Sequence, residues 1–258
     1  MGRWGEEGVR RPSPPDPPDL SDPSDPSDQV FTHSQEFLVY DAQSARKDLV
    51  FYGRKIAEKD LVVGPGGNTS ARAGNVIYMK ASGTAFEDAG PDDYVGVDLK
   101  TGEVVDGKKK PSCEILMHLG CYAVRDDIAA VVHTHSPCAV AVASAGIALP
   151  PMFPDSIALL GTEVPTIDYV VPAGKELADR VVALVKKHNV LLLANHGVVA
   201  LGANVREAYF RALGAEAAAR ICLMSKLLGS VPALSPAQVN EVNCLQAEDY
   251  RRALLRGW

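Results

Sequence analysis

The feature that most constrains the fold of this chain is a pair of histidines at the end of an apolar run. The run is Ala130-Val131-Val132, and His133 and His135 follow it two residues apart. Residues i and i+2 of a β-strand point to the same face, so the spacing predicts two imidazoles that project side by side from a rigid backbone. Such a pair is half of a metal site, because a catalytic divalent metal usually takes three protein ligands and keeps one position open.

Two other segments offer the missing ligands. His196 ends a second strand-like apolar run, and Glu114 lies upstream, shortly after Pro111. The pattern after Pro111 predicts an amphipathic helix with Ser112 near its N-cap, so that Glu114 falls in the first turn, where the helix dipole favours a carboxylate. A plain capping role is the alternative for Glu114. His118, one turn later, is a rival ligand, although a histidine among apolar neighbours more often packs in a core or supports a ligand.

Three turns rich in small residues offer donors for an anion. The first is Gly64-Pro65-Gly66-Gly67-Asn68-Thr69-Ser70, whose backbone N–H groups suit a phosphate. It is neither a Walker A loop nor a dinucleotide fingerprint, because no Lys-Ser/Thr pair follows and a strand, Val76–Met79, comes next. The second is Lys80-Ala81-Ser82-Gly83-Thr84, and the third is Ser112-Cys113. An ordinary tight turn is the alternative interpretation of each segment. That the three segments converge on one anion is a hypothesis.

Composition narrows the classes of partner. The chain has 258 residues, with 26 basic against 32 acidic side chains and a formal net charge of −6, which does not suit a nucleic-acid-binding surface. Five cysteines without CxxC spacing indicate reduced thiols. No apolar run is long enough to span a bilayer, and the N-terminus lacks the layout of a signal peptide. We therefore expect a cytoplasmic protein with no membrane and no nucleic-acid partner.

The chain divides into a tail, a domain and a C-terminal element. Residues 1–35 are rich in Pro, Ser and Asp, which predicts a disordered tail or a start codon placed too far upstream. Residues 36–235 are expected to form one domain, and residues 236–258 a C-terminal helix or tail. Within the domain we expect a helix from near Asp41 capped by Ser44, a hairpin turning at 100–102, a loop over 150–154, a strand over 190–194, and helices over 138–145, 174–188 and 204–228.

The order of these pieces resembles that of the zinc-dependent class II aldolase/adducin family. The motifs that carry the resemblance are Gly67-Asn68-Thr69-Ser70, Ser82-Gly83, Pro111-Ser112-x-Glu114, His133-x-His135 and Asn195-His196-Gly197. The resemblance covers about 41 to 228. It implies an α/β fold, a three-layer α/β/α sandwich with a central, largely antiparallel sheet. It also implies a homotetramer with active sites at the subunit interfaces.

The resemblance also implies roles for the site residues. One Zn²⁺ per subunit would be bound by Glu114, His133, His135 and His196. The substrate phosphate would be held by Asn68, Ser82, Gly83, Ser112 and Cys113. Glu114 would be the catalytic acid and base as well as a ligand of the resting metal.

The implied activity is the reversible cleavage of a ketose 1-phosphate, such as L-fuculose 1-phosphate, into dihydroxyacetone phosphate and a lactaldehyde-like aldehyde. Cleavage leaves an enediolate, whose charge Zn²⁺ would stabilise as a Lewis acid while Glu114 moves the proton. Fuculose-phosphate members of the family carry a tyrosine in the loop that here reads Pro150-Pro151-Met152-Phe153-Pro154. Tyr250 and Asp155 are the candidates for the missing proton donor, with a surface role as the alternative for each.

Other reactions could use the same pocket, because each needs a stabilised oxyanion beside a labile bond. They are pentulose-phosphate 4-epimerisation, methylthioribulose-phosphate dehydration and decarboxylation of a phosphorylated sugar acid. The family's epimerases have Asp where this chain has Glu114, so the longer carboxylate favours an aldolase. A non-catalytic, adducin-like interaction module is the alternative from another class. Such a module would be expected to lose ligands, whereas this chain retains all four.

Overall fold

The computed structural model describes residues 40–231 and 233–257, so the predicted disordered segment 1–35 lies outside the described residues. The helices are α1 (Ala42–Glu58), α2 (Ile115–Val124), α3 (Pro137–Ser144), α4 (Pro154–Leu160), α5 (Lys175–Val185), α6 (Val205–Leu227), α7 (Pro236–Asn243) and α8 (Gln246–Gly257). The strands are β1 (Asn68–Ala73), β2 (Val76–Lys80), β3 (Tyr94–Asp98), β4 (Val104–Asp106), β5 (Ala130–Thr134), β6 (Thr166–Ile167), β7 (Val190–Leu193) and β8 (Gly197–Gly202).

One eight-stranded sheet organises the domain, in the order β4-β3-β2-β1-β5-β8-β7-β6. Neighbouring strands are antiparallel in every pair except β6 with β7, which are parallel. Strand β5 lies near the centre, between β1 and β8, and all five of its residues are buried. A strand covered on both faces reads as a continuous apolar run, which is why the segment before His133 lacks alternation. The predicted, largely antiparallel sheet is confirmed.

Helices cover both faces of the sheet. Helices α1, α3, α4 and α6 pack on one face, around a core that includes Val132, whereas α2 and α5 pack on the other, around a core that includes Val131. Adjacent residues of β5 thus enter opposite cores, as the period of two requires. The three-layer α/β/α sandwich is confirmed, and His133, two residues after Val131, must face α2.

Some local expectations are corrected. The N-cap of α1 is Asp41, whose Oδ1 accepts a hydrogen bond of 2.7 Å from Ser44 N, while Asp41 N donates to Ser44 Oγ at 3.0 Å. This reciprocal pair is a capping box, and Ser44 is its third helical residue rather than the cap. The predicted loop over 150–154 ends one residue early, because Pro154 begins α4. Proline suits the first helical position, where its missing N–H has no helical partner.

The C-terminal segment forms two helices, α7 and α8, rather than the one that was expected. Asn204 Nδ2 donates to the carbonyls of Leu255 at 3.1 Å and Arg256 at 3.0 Å, and Arg206 Nη1 donates to the carbonyl of Leu254 at 3.1 Å. These bonds anchor the end of α8 to the start of α6. The predicted boundary at 235 stays a prediction. Among the helices of the described residues, none combines the length and apolarity needed to cross a membrane.

Candidate active site

The register of β1 against β5 assembles the centre of the site. Asn68 lies directly opposite His133 in the antiparallel pair, so both side chains project from the same face of the sheet, toward α2. The sequence pattern predicts a glycine-rich loop that includes Asn68, Thr69 and Ser70, whereas these three residues begin β1. Alternation along β1 then places Ser70 on the same face as Asn68.

The three candidate metal histidines converge. The ring centroids of His133 and His135 lie 5.0 Å apart, those of His133 and His196 4.7 Å, and those of His135 and His196 5.4 Å. One nitrogen from each ring lies within 4.8 Å of the other two. Strand β5 ends at Thr134, so His135 lies one residue beyond the strand rather than within it. The two imidazoles nevertheless face each other, with 3.2 Å between their Nε2 atoms.

A tight turn between β7 and β8 delivers His196. Asn195 adopts a φ of +57°, a left-handed conformation that asparagine tolerates better than most residues. Gly197 then packs against β5 so closely that a Cβ there would lie 2.1 Å from the carbonyl oxygen of Thr134. The Asn195-His196-Gly197 sequence therefore lets the third imidazole approach the other two.

The buried surroundings of His133 set both its charge and its tautomer. Its side chain is fully buried, and this desolvation lowers its pKa to about 4 although the nearby Glu114 acts in the opposite direction. The imidazole is thus neutral at pH 7. Its Nδ1–H donates to the carbonyl of Val198 at 2.9 Å, because a carbonyl oxygen only accepts. Nε2 is left with a lone pair that faces the other two rings.

Glu114 lies between the histidines. Its Oε2 is 3.2 Å from His133 Nε2, and its Oε1 is 3.3 Å from His196 Nε2. The residue precedes α2 as its N-cap rather than lying in the first turn, and its N–H donates to Ser112 Oγ at 3.4 Å. Burial acts to raise the pKa of Glu114, but the neighbouring histidines and the hydrogen bond from the Asn68 amide outweigh it and hold the pKa below its usual value. The carboxyl group is ionised at pH 7.

The donor set fits a divalent metal. A tetrahedral zinc site with ligand bonds near 2.1 Å places neighbouring ligand atoms about 3.4 Å apart, which is close to the separations of Glu114 from His133 and His196. Glu114 Oε1 and His196 Nδ1 are both buried without a hydrogen-bond partner, and an unsatisfied buried carboxylate oxygen is costly unless a cation binds it. Three imidazoles and one carboxylate suit zinc among the borderline metals, and the identity of the metal stays a prediction.

Two of the predicted phosphate turns meet through backbone pairing. Ser82 N donates to the carbonyl of Lys110 at 2.9 Å, and Ser112 N donates to the carbonyl of Lys80 at 3.1 Å. This pairing places Ser82-Gly83 beside Ser112-Cys113, directly before Glu114. Gly83 has a φ of +78°, and both Ser82 and Cys113 are exposed, so their polar groups are free to meet a ligand.

Lys80, which the sequence pattern does not mark as a site residue, links the turn around Pro65 to the turn that contains Ser82-Gly83. Its side chain is 1% exposed, and its ammonium donates to the carbonyls of Pro65, at 3.0 Å, and Thr84. Burial lowers its pKa to about 8, although Glu87 and Asp93 act in the opposite direction. The ammonium group therefore adds positive charge where the turns converge. A lysine within an apolar strand pattern was the available signal.

The Asn68 side chain hydrogen-bonds within the site. Its Nδ2 donates to Glu114 Oε2 at 2.7 Å, and its Oδ1 accepts from His118 Nε2 at 2.6 Å. Both ends of the amide are thus engaged away from solvent. Contact between Asn68 and a phosphate stays a prediction. His118, the rival ligand, does not join the histidine cluster.

The candidates for the aldehyde-side proton donor are Asp155 on α4 and Tyr250 on α8. Asp155 pairs with Arg251 at 2.9 Å, and Tyr250, on the same helix as Arg251, is largely exposed. Among the described residues, neither side chain hydrogen-bonds to Glu114 or to the candidate metal histidines. Their proposed roles stay predictions, as does the homotetramer.

Comparisons with known proteins find relatives over most of the chain. The sequence profile described as "Class II Aldolase and Adducin N-terminal domain" matches residues 47–223. The chain is 37% identical over 210 residues to 5-deoxy-D-ribulose 1-phosphate aldolase of Bacillus thuringiensis serovar kurstaki, a match that covers 81% of this chain and 97% of that one. It is 31% identical over 183 residues to L-fuculose phosphate aldolase of Methanocaldococcus jannaschii, covering 71% of this chain and 98% of that one.

A solved structure shares the fold. The structure titled L-fuculose 1-phosphate aldolase superimposes with a TM-score of 0.74 at 31% sequence identity, over 81% of this chain and 96% of that one. The similarity therefore extends over the sheet and the helices that position the candidate site.

Proposed function

The chain belongs to the class II aldolase and adducin family, and on that premise we propose that it is a divalent-metal-dependent aldolase that cleaves a ketose 1-phosphate to dihydroxyacetone phosphate and a short aldehyde. The observation that carries the proposal is the position of Glu114, with one carboxylate oxygen beside His133 and the other beside His196. A carboxylate in that position can bind the metal at rest and exchange a proton with substrate once displaced.

Glu114 is the proton carrier in this reaction. When the C3–C4 bond breaks, the C4 hydroxyl loses its proton to a base or water on the aldehyde side and becomes the aldehyde carbonyl, and the electron pair of the bond stays with the three-carbon fragment. Glu114, ionised at rest, takes up a proton from water once displaced and delivers it to C3 of the fragment. In the synthetic direction the Glu114 carboxylate removes the C3 proton, and the new C4 oxygen is protonated from the aldehyde side. His133, His135 and His196 would hold the divalent cation, for which we propose zinc, and the bound cation would supply Lewis-acid stabilisation of the charge that develops on the fragment's oxygens.

The turns around Lys80 hold the substrate phosphate. The paired turns that contain Ser82-Gly83 and Ser112-Cys113 directly precede Glu114 and expose the Ser82 and Cys113 side chains, and the Lys80 ammonium hydrogen-bonds to carbonyls of the neighbouring turns. Because the chain carries a net charge of −6, this local set of donors must overcome a general repulsion of anions. Fixing the phosphate positions the neighbouring carbons against the carboxylate.

Names of the relatives indicate which ketose to test first. One relative is named for 5-deoxy-D-ribulose 1-phosphate and another for L-fuculose phosphate, and the first is the more similar to this chain of the two. Both sugars end in a methyl group, and cleavage between C3 and C4 gives dihydroxyacetone phosphate from either. The aldehyde is acetaldehyde from the pentulose and lactaldehyde from the fuculose derivative. We propose the pentulose phosphate as the preferred substrate, with the fuculose derivative as the second candidate.

The test is incubation of purified protein with each sugar phosphate, with NMR to identify the products. We expect dihydroxyacetone phosphate and the matching aldehyde in equal amounts, faster from 5-deoxy-D-ribulose 1-phosphate, and condensation of the same two products in reverse. The Glu114→Gln protein, prepared in the same way, controls for contaminating aldolase.

Each alternative gives a different product. An epimerase would yield the C4 epimer without free dihydroxyacetone phosphate, a dehydratase would yield a dehydrated sugar and no aldehyde, and a decarboxylase would act only on a sugar acid. An adducin-like interaction module would turn over neither substrate. Any of these results would contradict the proposed aldolase.

A further inference from the structure

A chain of buried hydrogen bonds runs away from Glu114 into the layer between the sheet and α2. Asn68 joins Glu114 Oε2 at 2.7 Å to His118 Nε2 at 2.6 Å. His118 Nδ1 lies 2.7 Å from Ser70 Oγ, which in turn lies 2.9 Å from the hydroxyl of Tyr122. The same hydroxyl donates to the carbonyl of Ser70 at 3.1 Å.

All of these side chains are shielded from solvent. His118 and Ser70 are 0% exposed, Asn68 and Tyr122 are 3% exposed, and Glu114 is 5% exposed. Desolvation lowers the pKa of His118 to about 3, so its imidazole is neutral at pH 7 and carries one proton. Which nitrogen holds that proton decides how the amide of Asn68 must be oriented.

The contacts from His118 through Asn68 to Glu114 are satisfied by only one of two proton arrangements. If Nδ1 held the proton and donated it to Ser70, the unprotonated Nε2 would need a donor, and the amide of Asn68 would have to turn its NH₂ toward His118. Its oxygen would then face the ionised oxygen of Glu114 at 2.7 Å, which is repulsive. If Nε2 holds the proton, it donates to Asn68 Oδ1, Ser70 donates to Nδ1, and Asn68 donates to Glu114.

We propose that His118 is a positioning residue for the proposed aldolase: its Nε2–H fixes the orientation of the Asn68 amide, which in turn holds Glu114 in place between the metal histidines. Ser70 supports the required tautomer of His118 by donating to Nδ1, and the single hydroxyl proton of Tyr122 is shared between Ser70 Oγ and the Ser70 carbonyl. The inference rests on the proposed function, because the groups it positions are the proton carrier and its metal site. It also assigns the Asn68 side chain to Glu114 rather than to the substrate phosphate.

A matched pair of variants tests this role. In His118→Gln the longer side chain can place an amide N–H near the position of Nε2 and still donate to Asn68. In His118→Asn the shorter side chain reaches only the position of Nδ1, near Ser70, and loses Asn68. Both variants replace the imidazole by a neutral amide, so they control for the loss of the ring.

We expect His118→Asn to lower kcat about 10- to 100-fold, with KM and metal content within about twofold of wild type, as for other residues that orient a ligand. His118→Gln should retain kcat within about threefold of wild type, although both variants are destabilised. Equal loss of kcat in the two variants would overturn the inference, as would a rise in KM with kcat unchanged.

A second variant covers the case in which His118→Asn does not fold. Ser70→Ala removes the hydroxyl that fixes the tautomer, so kcat should fall at least about threefold with KM unchanged. An unchanged kcat would overturn the inference.

The tautomer itself gives a readout that does not need aldolase activity. Proton–nitrogen correlation NMR of the metal-loaded wild-type protein should show the His118 proton on Nε2. A proton on Nδ1 would overturn the inference even if the protein is an aldolase. Wild-type protein that cleaves no ketose 1-phosphate but carries the proton on Nε2 would instead overturn the proposed function and leave the hydrogen-bond arrangement established.

Discussion

Replacing Glu114 by glutamine will lower kcat for ketose 1-phosphate cleavage by about 10²- to 10⁴-fold, the range expected when a general acid or base is removed. Glutamine has nearly the same shape and can still accept the hydrogen bond from Asn68, but it cannot carry the proton to C3. The three histidines remain, so metal content should stay near that of the wild-type protein. Steady-state kinetics and metal analysis on one preparation measure both quantities.

The same substitution at another buried carboxylate is the control. Glu248 is 5% exposed and pairs with Arg251 at 2.7 Å on α8, away from the histidine cluster. Glu248→Gln should lower the free energy of unfolding and leave kcat near that of the wild-type protein. A Glu114→Gln protein with kcat within about threefold of wild type would show that another group moves the proton.

Replacing His135 by alanine is expected to remove most of the bound metal and to lower kcat at least about 100-fold. The two remaining histidines and Glu114 bind a catalytic cation less tightly than the full set of four ligands does. His135 is the best choice of the three for this test. It lies beyond the end of β5 and is only partly buried, so the fold should tolerate a smaller side chain. Elemental analysis gives the metal content, and product formation gives kcat.

His188→Ala is the matched control. His188 follows α5, where its nearest acidic partner is Glu163 at 4.0 Å. The His188→Ala protein should keep the full metal content and kcat of the wild-type protein. A His135→Ala protein that retained both would contradict the assignment of the three-histidine cluster as the catalytic metal site.

Sequence patterns predicted individual strands and the candidate metal histidines, and the family resemblance implied the antiparallel sheet and the roles of the site residues. The apolar runs before His133 and His196 predicted β5 and β7 as strands, and the ends of these strands predicted where the histidines emerge. These features depend on the local period of the chain and on the few residue types that suit each position. Predictions of these features do not require knowledge of which helices and strands pack together.

Contacts between layers could not be predicted in this way. The pairing of Asn68 with His133 depends on the register of β1 against β5, and the contact of Asn68 with His118 depends on how α2 packs on the sheet. Lys80 was missed for the same reason, since its partners lie in turns that only the folded chain brings together. Hydrogen-bond networks of this kind are decided by distances below 3 Å, which sequence spacing does not fix.

Metal removal tests the central claim most directly. Purified protein is treated with a chelator, dialysed and titrated with Zn²⁺, Mn²⁺, Co²⁺ and Mg²⁺ while the release of dihydroxyacetone phosphate is followed. We predict that cleavage is lost in the chelated protein and returns in proportion to one equivalent of metal per chain, with Zn²⁺ among the effective ions and Mg²⁺ ineffective, because imidazole ligands favour zinc over magnesium. Full cleavage activity in protein shown to be free of metal would contradict the account.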